Sequence, residues 1–137
     1  MIVLDASVLV ELLLHTAAGQ QIAARIEDPA LGLHVPELAD VEVAQALRRL
    51  ARDGDLDDAD ATAALDDLRA LDLLRHSHEP LLDRIWELRG NLTAYDAVYV
   101  ALAEVLDAPL LTCDARLARA PGTTARIDLV NAAKRHS

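Results

Sequence analysis

The stretch Thr93-Ala94-Tyr95-Asp96-Ala97-Val98-Tyr99-Val100-Ala101-Leu102-Ala103 decides how the rest of this chain can fold. Its last seven residues are apolar on every side, and a helix without a polar face has to be buried all round. The stretch therefore predicts a helix that runs through the middle of the fold. Thr93, with Asp96 three residues later, matches an N-terminal capping pattern in which a carboxylate also suits the helix dipole. Capping by itself would explain Asp96, but three other acids occupy comparable positions.

Short apolar segments alternate with helical segments on both sides of this stretch. The alternation predicts an α/β fold, with a mostly parallel sheet of about four to five short strands covered on both faces. At 137 residues, the chain 1–137 is expected to form a single domain. Pro36 is expected in the first turn of a helix. The expected strands are 2–4, 33–35, 73–74, 110–112 and 127–130, and the expected helices are 6–14, 17–27, 37–52, 56–71, 80–89, a central helix from 93 to near 107, and 115–120.

Composition limits the classes of function. A net charge of −10 argues against a broad basic surface for nucleic acid. Eight aspartates lie between Asp53 and Asp72, but Arg48, Arg49 and Arg52 precede them, which leaves room for a local basic edge. No apolar run is long enough to span a membrane, and no basic segment precedes the first apolar run as in a secretory signal, so we expect a cytoplasmic protein. The single cysteine, Cys113, excludes an internal disulfide.

Four acids stand where elements of the predicted fold begin or end. Asp5 and Asp114 each follow an apolar strand, and ligands of parallel sheets bind beyond the carboxyl ends of the strands. Asp96 opens the central helix, and Glu42 lies outside the core stripe of the helix 37–52, on the same side as Arg49. Judged singly, each acid can be a helix cap, a strand-end carboxylate or a solvated residue. Together they would repel one another, which a divalent cation such as Mg²⁺ or Mn²⁺ makes tolerable.

The order of these motifs resembles the PIN-domain ribonucleases, and most closely the VapC toxins of bacterial toxin–antitoxin pairs. The likeness extends over nearly the whole chain and implies a PIN-like three-layer α/β/α fold. It also implies that Asp5, Glu42, Asp96 and Asp114 form an acidic metal site, with Ser7 as the small hydroxyl residue after the first acid. Many members carry a further acid or amide where this chain has Leu117, which leaves open whether the site binds one metal ion or two. The segments that carry the resemblance are Met1-Ile-Val-Leu-Asp5-Ala-Ser7, Val35-Pro36-Glu37-Leu38 with Glu42 and Ala46-Leu47-Arg48, Leu92-Thr93-Ala94-Tyr95-Asp96-Ala97, and Leu111-Thr112-Cys113-Asp114.

The resemblance implies a Mg²⁺-dependent or Mn²⁺-dependent endoribonuclease that hydrolyses RNA phosphodiester bonds with metal-activated water. It implies two protein partners as well, a VapB-like antitoxin and a second copy of the chain in a homodimer. For the RNA backbone we expect phosphate contacts from arginines near the acids. Pairing of these same arginines with nearby aspartates is an equally good interpretation. The candidates are Arg48, Arg49, Arg52, Arg116 and Arg119.

Other chemistry-bearing residues have plainer interpretations. His76 and His78 would share a strand face, but without a third nitrogen or sulfur ligand they are expected to be surface histidines. Trp86 is expected in the core. Tyr95 and Tyr99 are both expected to pack, with Tyr95 the one to reach the cleft.

Two other functions stay open. A Mg²⁺ phosphohydrolase of the haloacid-dehalogenase type also opens with a strand ending in aspartate, but it needs a second acid where this chain has Ser7. A PIN-like interaction module without activity would have no reason to keep four mutually repelling acids.

Overall fold

A five-stranded, entirely parallel sheet forms the centre of the protein, in a computed structural model that describes residues 1–132. Its order is β3-β2-β1-β4-β5, so β1 is the middle strand. Val3 on β1 pairs with His34 on one side and with Leu110 on the other. With helices flanking this sheet, the predicted α/β/α class is confirmed. The strands are β1 (Ile2–Leu4), β2 (Leu33–Pro36), β3 (Leu73–His76), β4 (Leu110–Thr112) and β5 (Ile127–Leu129).

The helices connect successive strands, as a parallel sheet requires. α1 and α2 lie between β1 and β2, α3 and α4 between β2 and β3, α5 and α6 between β3 and β4, and α7 between β4 and β5. A 3₁₀ turn, Glu79–Leu81, precedes α5. The helices are α1 (Ala6–Leu13), α2 (Ala17–Arg25), α3 (Leu38–Arg52), α4 (Asp58–Ala70), α5 (Leu82–Glu87), α6 (Ala94–Leu106) and α7 (Ala115–Ala118).

The helix α6 is the buried helix that its sequence predicts. Every residue from Ala97 to Ala103 is buried, and Tyr99 is among the largest side chains that are wholly inside. Thr93 caps the N-terminus, since its Oγ1 accepts a hydrogen bond of 3.2 Å from the Asp96 backbone N–H. The last turn reaches the surface, where Val105 is exposed. The first turn of α6, with Asp96, therefore lies at one end of the core.

Three sequence expectations about local structure were wrong. Pro36 is the last residue of β2, not part of a helix, because its strand pairs with β3 as far as His76. This pairing also makes β3 longer than the expected 73–74. The segment 80–89 is not one helix but the 3₁₀ turn followed by the short α5. Within residues 1–132, no helix has both the length and the apolar character needed to cross a membrane. The expected tail at 134–137 lies outside the described residues.

Candidate active site

The order in which strands are added reverses between β1 and β4, at the middle of the sheet. Two of the four acids follow these two strands. From β1 the chain adds β2 and β3 on one side, and β4 and β5 on the other, so the crevice opens between β1 and β4. Ligands of open parallel sheets bind at such a switch point. Asp5 follows β1, and its backbone N–H donates to the Leu111 carbonyl at 3.0 Å. Asp114 follows β4 by two residues, so the parallel pairing brings both acids to one edge.

Two helices bring the other acids to this edge. Glu42 lies in α3 and Asp96 in the first turn of α6. The buried Tyr99, one turn after Asp96, donates its hydroxyl proton to Glu42 Oε1 at 2.6 Å. This hydrogen bond joins α6 to α3 and orients the Glu42 carboxylate. Sequence reasoning missed Tyr99, although a spacing of three residues places it on the same helix face as Asp96.

A pair of hydroxyl groups holds the Asp5 carboxylate. Ser7 and Thr112 each donate to Asp5 Oδ2 at 2.7 Å. Each hydroxyl oxygen also accepts a backbone N–H at 3.0 Å, from Cys113 for Ser7 and from Asp114 for Thr112. Because each hydroxyl oxygen accepts an amide N–H in this way, the hydroxyl's own proton is directed to Asp5. The network therefore ties Asp5 to the turn that carries Asp114. Thr112 is a second residue that sequence reasoning missed; its signal is a polar side chain at the end of an otherwise apolar buried strand.

The carboxylates influence one another electrostatically. Burial raises the pKa of Asp5, and the negative charge of Asp96 adds to this, although the hydroxyls of Thr112 and Ser7 act in the opposite direction. Burial likewise raises the pKa of Glu42, with contributions from Asp5 and Asp96 and against the Tyr99 hydrogen bond. The pKa of Asp96 is raised by burial and by Asp114, while the charge of Arg116 and the hydrogen bond with Thr93 act in the opposite direction. Asp5, Glu42 and Asp96 are thus close enough to interact electrostatically, and Asp114 interacts with Asp96, so that each of these negative charges makes it harder to ionise its neighbour.

Three of the acids line one cavity of about 390 Å³, which we name the acidic cleft; its lining includes Asp5, Ser7, Glu42, Arg49 and Asp114. An all-oxygen donor set fits a hard cation such as Mg²⁺ by its chemistry. Within residues 1–132, however, no three His, Cys, Asp or Glu side chains lie close enough, as they stand, to hold a metal ion. The acids are therefore gathered at one edge without forming a ready-made coordination group.

The candidate substrate residues have different positions. The hydroxyl of Ser7 is engaged with Asp5 and the Cys113 amide. Arg49 lines the acidic cleft, as expected from its position beside Glu42. Arg48 does not line this cleft, and neither does Arg52, which instead pairs with Asp53 at 3.2 Å.

Arg116 adjoins the acids from the other side. It lines a second cavity together with Asp96. Its guanidinium lies 3.9 Å from Asp114 Oδ2, which is longer than a hydrogen bond.

Two expectations about aromatic residues, those for Trp86 and Tyr95, were wrong. Trp86 is 67% exposed and stacks with the Arg89 guanidinium at 4.5 Å, because the short α5 turns this side chain outward. Tyr95 is 62% exposed, and Tyr99 is the tyrosine that reaches the acids. His76 is half-buried and lies 2.8 Å from a ring nitrogen of the buried His34.

His78 is also half-buried, and its Nε2 accepts the Leu38 backbone N–H at 2.9 Å. His76 and His78 are partly exposed, in keeping with the expected surface histidines, and both also pair with groups on the neighbouring β2–α3 segment. Their role in the described structure is to hold the end of β3.

The architecture defines a class of protein, a parallel α/β domain with a carboxylate-lined cleft at the switch point of its sheet. A family model described as PIN domain matches residues 2–122. The chain belongs to the PIN-domain family and, within it, to the VapC ribonucleases.

Two relatives support this assignment, and one solved structure shares the fold. Ribonuclease VapC9 of Mycobacterium tuberculosis is 48% identical over 117 residues, which cover 85% of this chain and 88% of VapC9. Ribonuclease VapC12 of the same species is 41% identical over 130 residues, which cover 95% of this chain and 99% of VapC12. The crystal structure of VapBC2 from Rickettsia felis bound to a DNA fragment from their promoter matches with a TM-score of 0.69, covering 94% of this chain and 98% of that chain. At 14% identity, this last match shows the fold alone.

Proposed function

We propose that this chain, as a single PIN-like domain 1–137 working in the cytoplasm, is a divalent-metal-dependent endoribonuclease and the toxin of a toxin–antitoxin pair. The observation that carries the proposal is the convergence of Asp5, Glu42, Asp96 and Asp114 from four distant segments on the switch point of the sheet. A purely structural role gives no reason to bring these carboxyls together, since burial and a neighbouring carboxylate raise the pKa values of Asp5, Glu42 and Asp96. The relatives VapC9 and VapC12, both named ribonucleases, support hydrolysis of RNA.

The four acids are the proposed ligands for Mg²⁺, or for Mn²⁺, since carboxylate oxygens suit both ions. When bound, such an ion supplies water of lowered pKa and stabilises the charge on the attacking and leaving oxygens of a phosphodiester. The protein's own contribution is orientation. Tyr99 fixes one oxygen of Glu42, and Ser7 and Thr112 fix one oxygen of Asp5. These contacts limit the rotamers of two carboxylates before any ligand arrives, which reduces the entropy lost on binding.

Phosphate contact in the acidic cleft is proposed for Arg49, because its guanidinium shares the cleft with three of the acids. Ser7, Arg48, Arg52 and Arg116 stay predictions for substrate contact. Replacing Arg49 by glutamine should weaken RNA binding at fixed salt. It should also reduce the slope of log affinity against log salt concentration by the amount expected for one lost phosphate contact. Unchanged affinity and salt slope would remove Arg49 from the substrate site.

Two protein partners belong to the proposal, a VapB-like antitoxin and a second copy of the chain. A cavity of about 450 Å³ between α1, α2 and α4 has mainly apolar walls, including Leu12, Leu13, Ala23 and Leu71. Exposed apolar surface of this kind suits a partner segment, and we assign it to the antitoxin. Light scattering after size exclusion tests the homodimer, since a purely monomeric protein at micromolar concentration contradicts it.

The test of the nuclease is cleavage of structured RNAs by purified protein with Mg²⁺, with Mn²⁺ and with chelator. We expect cleavage with either ion, none with chelator, and none for Asp96→Asn in any condition. Asp66→Asn, which removes an exposed acid on α4, is the matched control and should cleave like the wild type. Cleavage that survives both the chelator and Asp96→Asn would rule out the proposed chemistry.

A further inference from the structure

Most arginines in residues 1–132 have a close partner. Arg89 stacks on Trp86. Three arginines in this part of the chain, Arg48, Arg49 and Arg119, form no ion pair there, and Arg116 forms only a long one, with Asp114 Oδ2 at 3.9 Å. The chain carries 23 acids against 13 basic residues, so acidic partners are abundant. The six arginines that hold a carboxylate oxygen at 3.2 Å or less are Arg25, Arg52, Arg69, Arg75, Arg84 and Arg126.

Three of these four arginines adjoin the four acids. Arg49 lines the acidic cleft, and Arg116 and Arg119 line a second cavity of about 300 Å³ that we name the arginine pocket. The arginine pocket has Asp96 in its wall, while the other three acids line the acidic cleft. Asp96 therefore lies on the boundary between a region rich in carboxylates and a region that holds the guanidinium groups of Arg116 and Arg119.

The chemistry of the arginine pocket suits an anion with an attached ring. Its walls combine Arg116 and Arg119 with the carboxamide of Asn91 and with apolar surface from Leu117 and Pro121. Guanidinium groups are the side chains best shaped to bind phosphate oxygens in pairs. A volume of about 300 Å³ is at the small end of the range for ligand pockets. One nucleotide, with its phosphate on the arginines and its base or ribose on the apolar wall, fits this description.

We propose that the arginine pocket is a subsite for one nucleotide of single-stranded RNA, next to the phosphodiester that is cut. The proposal rests on the nuclease function and adds a path for the strand. From the arginine pocket the strand passes Asp96 and enters the acidic cleft beside Arg49. Cationic contacts on both sides of the acids hold the phosphates that flank the cut, and the 3.9 Å contact between Arg116 and Asp114 is too long to be a hydrogen bond that would withhold this guanidinium from a phosphate.

The first test uses steady-state cleavage of a short single-stranded RNA. Arg119→Gln should raise KM about fivefold to tenfold, leave kcat within about twofold, and lower the salt slope of log KM by about 0.7 to 1, as expected for one lost phosphate contact on a single strand. The variant Arg116→Gln/Arg119→Gln should raise KM further. Arg69→Gln, which makes the same charge change on α4, is the control and should change neither KM nor the slope.

The second test measures binding without cleavage, so that the two proposals can fail separately. Short fluorescein-labelled RNAs are titrated in chelator, and anisotropy should show about fivefold to tenfold weaker binding for Arg119→Gln than for Arg69→Gln. If the wild type cuts no RNA but this difference is found, the subsite stands and the nuclease proposal falls. If RNA is cut normally but the KM, salt slope and affinity of the Arg116→Gln/Arg119→Gln variant match the control, the subsite is overturned and the nuclease stands.

Discussion

The ion pair between Arg84 of α5 and Glu104 of α6 holds the loop that leads to β5. Arg84 donates to both oxygens of Glu104, at 2.7 and 3.0 Å. The same carboxylate accepts the Thr124 backbone N–H and the Thr123 hydroxyl, both at 2.9 Å. Arg84 also donates to the Gly122 carbonyl at 3.0 Å. One partly buried carboxylate thus organises the loop, and we expect the substitution Glu104→Gln to release the loop.

The cost of this substitution follows from the pKa of Glu104. The hydrogen bonds from Arg84, opposed by burial and assisted by Thr124 and Thr123, lower this pKa from 4.5 to about 2. Such a difference corresponds to about 3 kcal/mol of stability at neutral pH. The Glu104 side chain is 10% exposed but Arg84 is 34% exposed, so solvent screens part of the interaction. We therefore expect Glu104→Gln to lower the free energy of unfolding by about 2 kcal/mol at pH 7.

Urea unfolding followed by circular dichroism measures this loss. The stabilisation is complete above pH 4.5, where Glu104 is ionised in both the folded and the unfolded chain, and it disappears as the pH falls toward about 2. The difference between the wild type and Glu104→Gln should therefore shrink as the pH is lowered through this range. Asp66→Asn is the control, because Asp66 is 67% exposed and its partner Arg69 is 74% exposed. Its cost should stay below about 0.5 kcal/mol.

Two results would refute this reasoning. One is a loss at pH 7 no larger for Glu104→Gln than for Asp66→Asn. The other is a difference from the wild type that does not change with pH, since that would place the stabilisation in packing and not in the ionised carboxylate.

Three further predictions concern the site and the histidine pair. In chelator, Asp96→Asn should raise Tm, because ionising a carboxyl of raised pKa destabilises the fold at neutral pH. Added Mg²⁺ should then stabilise only the wild type. An unchanged or lower Tm of Asp96→Asn in chelator would count against charge repulsion among the acids. Tyr99→Phe should cost about 1 kcal/mol of stability and weaken Mg²⁺ binding in calorimetry by several-fold, since Glu42 loses its orienting hydrogen bond. If Tyr99→Phe binds Mg²⁺ as tightly as the wild type, Tyr99 does not orient Glu42 for the ion. Burial, together with the neighbouring His76, lowers the pKa of His34. As the pH drops below 6.5, His34 is therefore protonated in the unfolded chain before it is protonated in the folded one, and the free energy of unfolding should fall. A wild-type stability that depends on pH no more steeply than that of His34→Gln would contradict this.

Much of the fold could be predicted from local pattern. The all-round apolar character of α6 predicted its burial, because no arrangement at the surface could hide every face of such a helix. Each of the five strands was expected near its observed position, since short apolar runs between helices leave a parallel sheet as the arrangement that buries them. The end of β2 was missed because a proline at a strand end and a proline at a helix start have the same local signature.

Trp86 shows the limit of such patterns. Its segment has the composition of a core-facing helix, but α5 is only 6 residues long and is preceded by a 3₁₀ turn. The direction in which a side chain points depends on where the helix begins, and an error of two residues turns the helix face by about half a turn. Burial of a single aromatic residue is therefore beyond what the local sequence determines.

The sequence by itself determined which residues carry charge at the ends of the strands, since strand and helix boundaries are local properties and acids at these boundaries can be read in order. Only the tertiary structure decided what holds those acids. Tyr99 meets Glu42 across 57 residues, and Thr112 meets Asp5 across 107 residues. Such hydrogen bonds depend on how distant helices and strands pack, with distances that have to be correct to a few tenths of an ångström. The same packing places Arg49, Arg116 and Arg119 beside the acids, which no pattern along the chain records.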